Sequence, residues 1–339
     1  MAGKKGLNGH RFERLIHISE PDVPADQRPR AEDLRFPLEQ ALGAIFGLRA
    51  TVPGDAFTAQ TLGTEREGNA VLIDSAGLMV TIGYLVTEAE HVELTAADGR
   101  QIAGAVVGFD QGTGFGLVRA LDTVDAAPIA FGDSHALDEG QPVIVAAAGG
   151  ARQAMNARVV SRRVFAGYWE YLLDRAIFTA PPHGRWSGGA ALGLDGRLLG
   201  IGSLLVQNAE SENEARTGNM FVPIDLLQPI LPAFRESGRS PNPPRPWLGM
   251  LTAEVDGRLA IAGVTSGGPA HGAGLREGDI ILNVDGQEIV DLPTFYRFVW
   301  SLGSPGIVLV IHVLRHGARV ECVVRTGNRY DYLKQPPRA

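Results

Sequence analysis

One serine of this chain stands in a context that suits a nucleophile. Ser187 is followed by two glycines in the segment GRWSGGAAL, Gly184 to Leu192. A serine hydroxyl attacks a carbonyl effectively only when a hydrogen-bonded base takes its proton. His183, in the same loop, and His91 are the two histidines that we consider for that base. Each can reach the serine only through a remodelled loop, and a surface or turn histidine is the simpler interpretation of both.

Metal and cofactor chemistry find no support in the residue spacing. No cluster of His, Cys, Asp and Glu has the spacing of metal ligands. No glycine-rich loop has the pattern that binds phosphate. The single cysteine, Cys322, lies in the alternating apolar run VECVV, which predicts a strand or core residue and not a nucleophile. We therefore predict no metal and no cofactor.

The composition indicates a globular protein with more than one domain. The 339 residues are enough for two or three domains, and the hydrophobic fraction of 45% is ordinary for such proteins. The net charge of −7 argues against nucleic-acid binding. No apolar run approaches the roughly 18 residues of a membrane span, and the first residues lack the apolar core of a signal peptide. We expect a cytoplasmic protein, or a periplasmic one if a leader has been removed.

The pattern of elements predicts two folded regions that follow a polar arm. Residues 1–36 are charged and punctuated by proline, as is typical of an arm. Residues 37–236 contain many short apolar runs separated by turn residues, which predict a β-sandwich or barrel closed by one helix near 224–235. The proline-rich residues 237–246 predict an extended linker. Residues 247–330 predict a smaller α+β unit, and 331–339 a tail.

Several motifs, in chain order, resemble those of the HtrA-type family. GNAVLIDSAGLMVT, VVGFDQGTGFGLVRA and WSGGAALGLDGRLLGIGS are similar to the segments around the three catalytic residues of that family. GGPAHGAGLREGDIILNVDGQEI is similar to its PDZ signature. The resemblance covers roughly residues 40–330. It implies a mainly β fold, in which a trypsin-like double β-barrel precedes a PDZ domain.

The same resemblance implies that the catalytic centre has degenerated. Tyr84 occupies the position of the catalytic histidine, Gly114 that of the aspartate, and Ser187 remains as a vestigial nucleophile. The family stabilises the oxyanion with the backbone N–H groups of the serine and of a glycine two residues earlier. Arg185 stands at that glycine position. With Trp186 it either fills the cleft or forms a binding surface, and the sequence leaves this choice open.

The PDZ resemblance implies a second site, which takes peptides. Trp247, Leu248, Gly249 and Met250 stand where the family has its carboxylate-binding loop, whose backbone N–H groups capture a peptide C-terminus. Leu248 and Met250 are expected to supply an apolar pocket. Its far wall is expected to come from one face of the helix that starts near residue 291, with Phe295, Tyr296 and Val299. Occlusion of this loop by the barrel or by another subunit is the alternative.

These observations favour a pseudoprotease that acts as a protein-binding or peptide-binding scaffold or as a regulatory subunit. Its expected partners are proteins or peptide C-termini, in a homo-oligomer such as a trimer or in a hetero-complex. The alternative is a serine endopeptidase in which Ser187 uses a displaced base, His183 or His91. A chaperone-like peptide binder of broad specificity is a third possibility.

Overall fold

The protein is described from a computed structural model, which covers residues 22–211 and 215–334. Residues 1–21 of the predicted arm and 335–339 of the predicted tail lie outside the described residues. The described chain forms two compact units. One contains residues 22–163, 175–211, 215–241 and 334, and the other contains residues 164–174 and 242–333. The prediction of a mainly β protein with two barrels is confirmed.

The first barrel has six strands, closed in the order β1-β2-β3-β6-β5-β4. In the turn sequence DSAG, the Asp74 side chain closes the β2–β3 hairpin. Its Oδ1 accepts the N–H groups of Ala76 and Leu78 at 2.8 and 2.9 Å. All five residues of β3 are buried, so this strand is part of the core of the barrel. The strands are β1 Ile45–Thr51, β2 Glu65–Leu72, β3 Leu78–Ile82, β4 His91–Thr95, β5 Gln101–Phe109 and β6 Phe115–Ala120.

The second barrel is closed in the order β10-β11-β12-β9-β8-β7. Its interior is filled by apolar side chains from facing strands, among them Val145, Val159, Ile177 and Phe221. Burial of such side chains is the main stabilising contribution to a barrel of this kind. The strands are β7 Pro142–Ala146, β8 Ala154–Gly167, β9 Tyr171–Ala180, β10 Ala190–Leu192, β11 Leu198–Val206 and β12 Gly218–Pro223.

The second unit is built on a sheet with the order β13-β14-β15-β17-β18, to which β16 adds by pairing with β15. Strand β13 is an edge strand, so one side of its backbone has no neighbour within the sheet. Helix α6 begins after Asp291, whose carboxylate accepts the Thr294 N–H at 2.7 Å. The strands are β13 Met250–Val255, β14 Arg258–Val264, β15 Ile280–Val284, β16 Gln287–Glu288, β17 Val308–Arg315 and β18 Ala318–Arg325.

The helices are short except for α6, and one predicted helix is divided. The expected helix near 224–235 is a 3-10 turn at Ile224–Leu226 followed by a separate α-helix. Pro229 lies between them, and proline disfavours the helical conformation in the residue before it. The α-helices are α1 Leu38–Gly43, α2 Ala59–Leu62, α3 Gly83–Val86, α4 Leu231–Ser237, α5 Pro269–Gly272 and α6 Leu292–Ser301.

Candidate functional site

The structure brings the three predicted triad segments together in the barrel unit. Tyr84 lies in the single-turn helix α3, directly after β3. The N–H of its neighbour Gly83 donates to the Gly114 carbonyl at 2.7 Å, so the predicted aspartate position lies beside this turn. Ser187 lies in the turn before β10, and its Oγ is 2.9 Å from the Tyr84 hydroxyl oxygen.

The hydrogen bonds of Tyr84 decide which way the serine proton points. The Tyr84 hydroxyl has one hydrogen, which it donates to the Ser203 carbonyl at 2.8 Å. A carbonyl can only accept, so the Tyr84 oxygen is left as the acceptor toward Ser187. The Ser187 hydroxyl is therefore the donor in the 2.9 Å contact. Burial raises the pKa of Tyr84 well above its usual value, which keeps the phenol neutral. A neutral phenol does not remove a serine proton.

The loop that carries Gly114 supplies no carboxylate to this pair. Gly114 has a φ of +87° and donates its N–H to the Asp110 carbonyl at 2.8 Å. The nearby Asp110 carboxylate is used within its own loop, where Oδ2 accepts the N–H and the hydroxyl of Thr113 at 2.9 and 2.7 Å. The Asp110 side chain therefore closes a turn.

The two histidines considered as displaced bases are placed elsewhere. His183 is buried, its Nδ1 accepts the Arg185 N–H at 3.0 Å, and its Nε2 lies 3.2 Å from the Gln153 carbonyl. These partners require a neutral ring with its proton on Nε2. Burial lowers the pKa of His183 to about 4. His91 is the exposed first residue of β4, paired with Thr51. Neither imidazole forms a hydrogen bond with Ser187 among the contacts of the described residues.

The bond between Arg185 and His183 also affects the predicted oxyanion hole. The Arg185 N–H is predicted from the resemblance to be one oxyanion donor, and in the structure it donates to an imidazole nitrogen of His183. The side chains of Arg185 and Trp186 are half-buried. A donor bonded within the protein is not available to a tetrahedral oxyanion unless the loop changes.

A buried asparagine that the sequence analysis did not select holds this loop. The Asn69 Nδ2 donates to the carbonyls of Arg185 and Ser187 at 3.0 and 2.8 Å, and its backbone N–H donates to the Ser187 carbonyl at 2.8 Å. Its Oδ1 accepts the Ala148 N–H at 2.9 Å. Every polar atom of the side chain is used, so the loop is fixed in this form. The feature of the sequence that could have indicated Asn69 is one amide side chain within the apolar run GNAVLI.

In the other unit, the predicted carboxylate-binding loop holds a carboxylate from the same chain. Glu170 lies in the turn between β8 and β9. Its Oε2 accepts the Leu248 N–H at 2.9 Å, and its Oε1 accepts those of Gly249 and Met250 at 2.8 and 3.3 Å. Trp247 pairs with Gly327 through two backbone hydrogen bonds, which fixes the start of the loop. The predicted use of these amides for a peptide C-terminus stays a prediction, because a side chain occupies them here.

The predicted pocket residues on α6 are packed under the same turn. Phe295, Tyr296 and Val299 are all fully buried. The Tyr296 hydroxyl donates to the Gly167 carbonyl at 2.8 Å and accepts the Glu170 N–H at 3.1 Å. Burial raises the pKa of Glu170 to about 7, against the opposing effects of the three loop amides and of the Arg329 charge. Glu170 was not predicted as a site residue. The feature of the sequence that could have indicated it is a single carboxylate in the aromatic run GYWEY.

Within residues 22–211 and 215–334, no group of three or more His, Cys, Asp and Glu side chains is arranged to hold a metal ion. In the same part of the chain, no helix has the length and apolar character needed to span a membrane.

Comparison with protein families gives two matches. A trypsin-like peptidase domain matches residues 68–201, and a PDZ domain matches residues 246–326. Among curated proteins, the chain is 27% identical over 289 residues to a probable periplasmic serine endoprotease DegP-like from Halomonas elongata, covering 79% of the chain and 57% of the relative. It is also 27% identical to the putative serine protease HhoA of a Synechocystis species, covering 77% and 70% of the two proteins. The chain thus spans little more than half of the first relative.

Solved structures share the fold. The HtrA-type protease AlgW with decapeptide superposes with a TM-score of 0.51 at 22% identity, covering 88% of this chain and 98% of that one. The serine endoprotease from Yersinia pestis gives a TM-score of 0.50 at 20% identity, covering 87% and 99%. The names of the DegP-like relatives specify the periplasm, so the expectation of a cytoplasmic protein is not supported. The order of the two domains and these relatives together support the HtrA family for this chain.

Proposed function

We propose that this protein is an HtrA-like pseudoprotease, which uses the family fold to bind proteins or peptides and no longer cleaves them. One observation carries this proposal. The Ser187 hydroxyl donates its hydrogen bond to the neutral phenol of Tyr84, in the place where a base would accept the proton. A serine held in this way keeps the low nucleophilicity of an ordinary alcohol.

One other contact supports the loss of proteolysis. The predicted oxyanion donor, the Arg185 N–H, is bonded to His183. In serine proteases, loss of the triad costs about six powers of ten in rate. Loss of one oxyanion donor costs roughly two to three powers of ten when it is removed alone. We therefore expect no useful rate of peptide hydrolysis from a site that lacks both the base and a free donor.

The binding part of the proposal rests on the PDZ unit. Its loop presents three converging backbone N–H groups to a carboxylate, which is the feature that recognises a peptide C-terminus. We assign peptide C-termini or proteins that carry them as the partners. The names of the relatives support a periplasmic location. Assembly into a homo-oligomer such as a trimer is part of the proposal and is checked by light scattering of the purified chain.

The test of lost proteolysis uses a fluorophosphonate probe, which reacts only with activated serines. The full chain and a Ser187→Ala variant are incubated with the probe, and the modified residue is mapped by mass spectrometry. We expect no labelling of Ser187 above the level of the variant, and no digestion of casein by either protein. Labelling that disappears in Ser187→Ala would return the displaced-base endopeptidase as the better assignment.

A further inference from the structure

The carboxylate loop of the PDZ unit is occupied by a side chain that resembles a peptide C-terminus. The Glu170 carboxylate takes the N–H groups of Leu248, Gly249 and Met250, with one oxygen accepting from one amide and the other from two. We propose that the turn between β8 and β9 is an internal ligand of this unit, which keeps the loop closed to peptide C-termini until Glu170 is displaced. The inference rests on the peptide-binding part of the proposed function.

The backbone of the turn also takes the place of a bound peptide. A peptide that binds a PDZ domain pairs with the strand that follows the carboxylate loop. Here that strand is β13, which lies at the edge of the sheet. The N–H of Thr252 in β13 donates to the Tyr168 carbonyl at 2.9 Å. The internal turn thus uses both the loop and the sheet edge.

Contacts from helix α6 and the core hold the turn in place. Tyr296 bonds to the backbone at both Gly167 and Glu170, at 2.8 and 3.1 Å. The Leu172 side chain, at the start of β9, is part of the apolar core of the PDZ unit. Arg329 donates to the Trp169 carbonyl at 3.1 Å and lowers the pKa of Glu170 by its charge.

The backbone of Glu170 indicates that its side chain has a specific role in this turn. Its φ of +61° lies in the left-handed region, which glycine and asparagine adopt most easily. A glutamate at such a position is strained, because its Cβ approaches the following carbonyl oxygen. Three hydrogen bonds from the loop amides to the Glu170 carboxyl group offset this strain.

The consequence is a competition between two carboxylates for one loop. A ligand that belongs to the same unit acts at an effective concentration on the order of millimolar. An external peptide binds only the open fraction of molecules, so its apparent dissociation constant rises as that fraction falls. Removing the Glu170 carboxylate should therefore tighten peptide binding without any change in the residues that contact the peptide.

The test measures peptide affinity with and without the internal carboxylate. Random heptapeptides with free carboxyl termini are selected on the full-length Glu170→Ala protein. The tightest peptide is labelled with fluorescein, and its dissociation constant is measured by polarisation. Glu170→Gly serves as a second variant, since glycine suits the positive φ. Asp174→Ala is the matched control, because it removes only the exposed ion pair with Arg297 near the same turn.

We expect both Glu170 variants to bind the peptide at least tenfold more tightly than the unaltered chain, with Asp174→Ala within threefold of it. We also expect the amidated peptide to lose most of this affinity. In the unaltered chain, saturating peptide should speed hydrogen exchange in residues 164–174. Equal affinities, or exchange that does not change, would overturn the internal ligand and leave peptide binding intact. Folded Glu170 variants that select no peptide would instead overturn the peptide-binding function itself, and the inference with it.

Discussion

Acid should weaken the barrel unit through His183, whose neutral ring holds the turn of Ser187. The pKa of His183 is about 4 in the folded protein, against 6.5 for an ordinary histidine. The unfolded chain therefore binds a proton between pH 6.5 and 4 that the folded chain does not bind. A group whose folded pKa is lowered contributes stability above its unfolded value, and that stability is lost as the pH falls. The two pKa values give a loss of about 2 kcal/mol between pH 7.5 and 5.

The contribution of His183 to the free energy of unfolding is isolated by comparing His183→Gln with the unaltered chain in urea at these two pH values. Glutamine keeps one donor and one acceptor but has no titrating proton. The unaltered chain should lose about 2 kcal/mol more than the variant over this range. His91→Gln is the matched control, because His91 is exposed and in the same unit. Parallel losses for the unaltered chain and His183→Gln would refute the assignment of a buried neutral imidazole.

Further predictions concern the barrel cleft and the PDZ loop. Tyr84→Phe removes a hydroxyl that bonds to two buried groups, and urea unfolding at pH 7.5 should show a loss of about 1–3 kcal/mol. Tyr84→His combined with Gly114→Asp should still fail to digest casein, because the Arg185 N–H remains bonded elsewhere; digestion would contradict this. Since the pKa of Glu170 is raised to about 7, protonation favours the docked turn. Peptide affinity of the unaltered chain should accordingly rise from pH 5 to 8, and that of Glu170→Ala should stay flat. Gly249→Ala should lower the melting temperature, because its φ is +74° and a new Cβ would lie 3.1 Å from the Trp247 ring.

The three segments of the predicted triad could be selected from the sequence because each is a short motif that resembles one of the HtrA family. Tyr84, Gly114 and Ser187 were selected in this way, and the structure places the three segments next to one another. The motifs do not determine the direction of a hydrogen bond. The role of Tyr84 as acceptor follows from its bond to the Ser203 carbonyl, which lies 119 positions further along the chain.

Contacts between segments far apart in the sequence could not be predicted from it. Glu170 and the loop at residues 248–250 are separated by 78 to 80 positions, and no local pattern relates them. His183 was considered because it is close to Ser187 in sequence, yet packing turns its ring toward Gln153 and Arg185. A single helix near 224–235 was predicted after the last strand of the barrel region, and Pro229 divides it.

The inclusion of residues 164–174 in the PDZ unit means that this unit is not one continuous piece of chain. A cut within the linker at 237–246 would separate the C-terminal part of the PDZ unit from residues 164–174. That part would lack Leu172, which fills part of its core, and Glu170, which binds its loop. A PDZ fragment expressed alone would have a gap in its interior and an empty anion site. Affinities measured on such a fragment would describe the opened loop and would overstate how readily the whole protein takes a peptide.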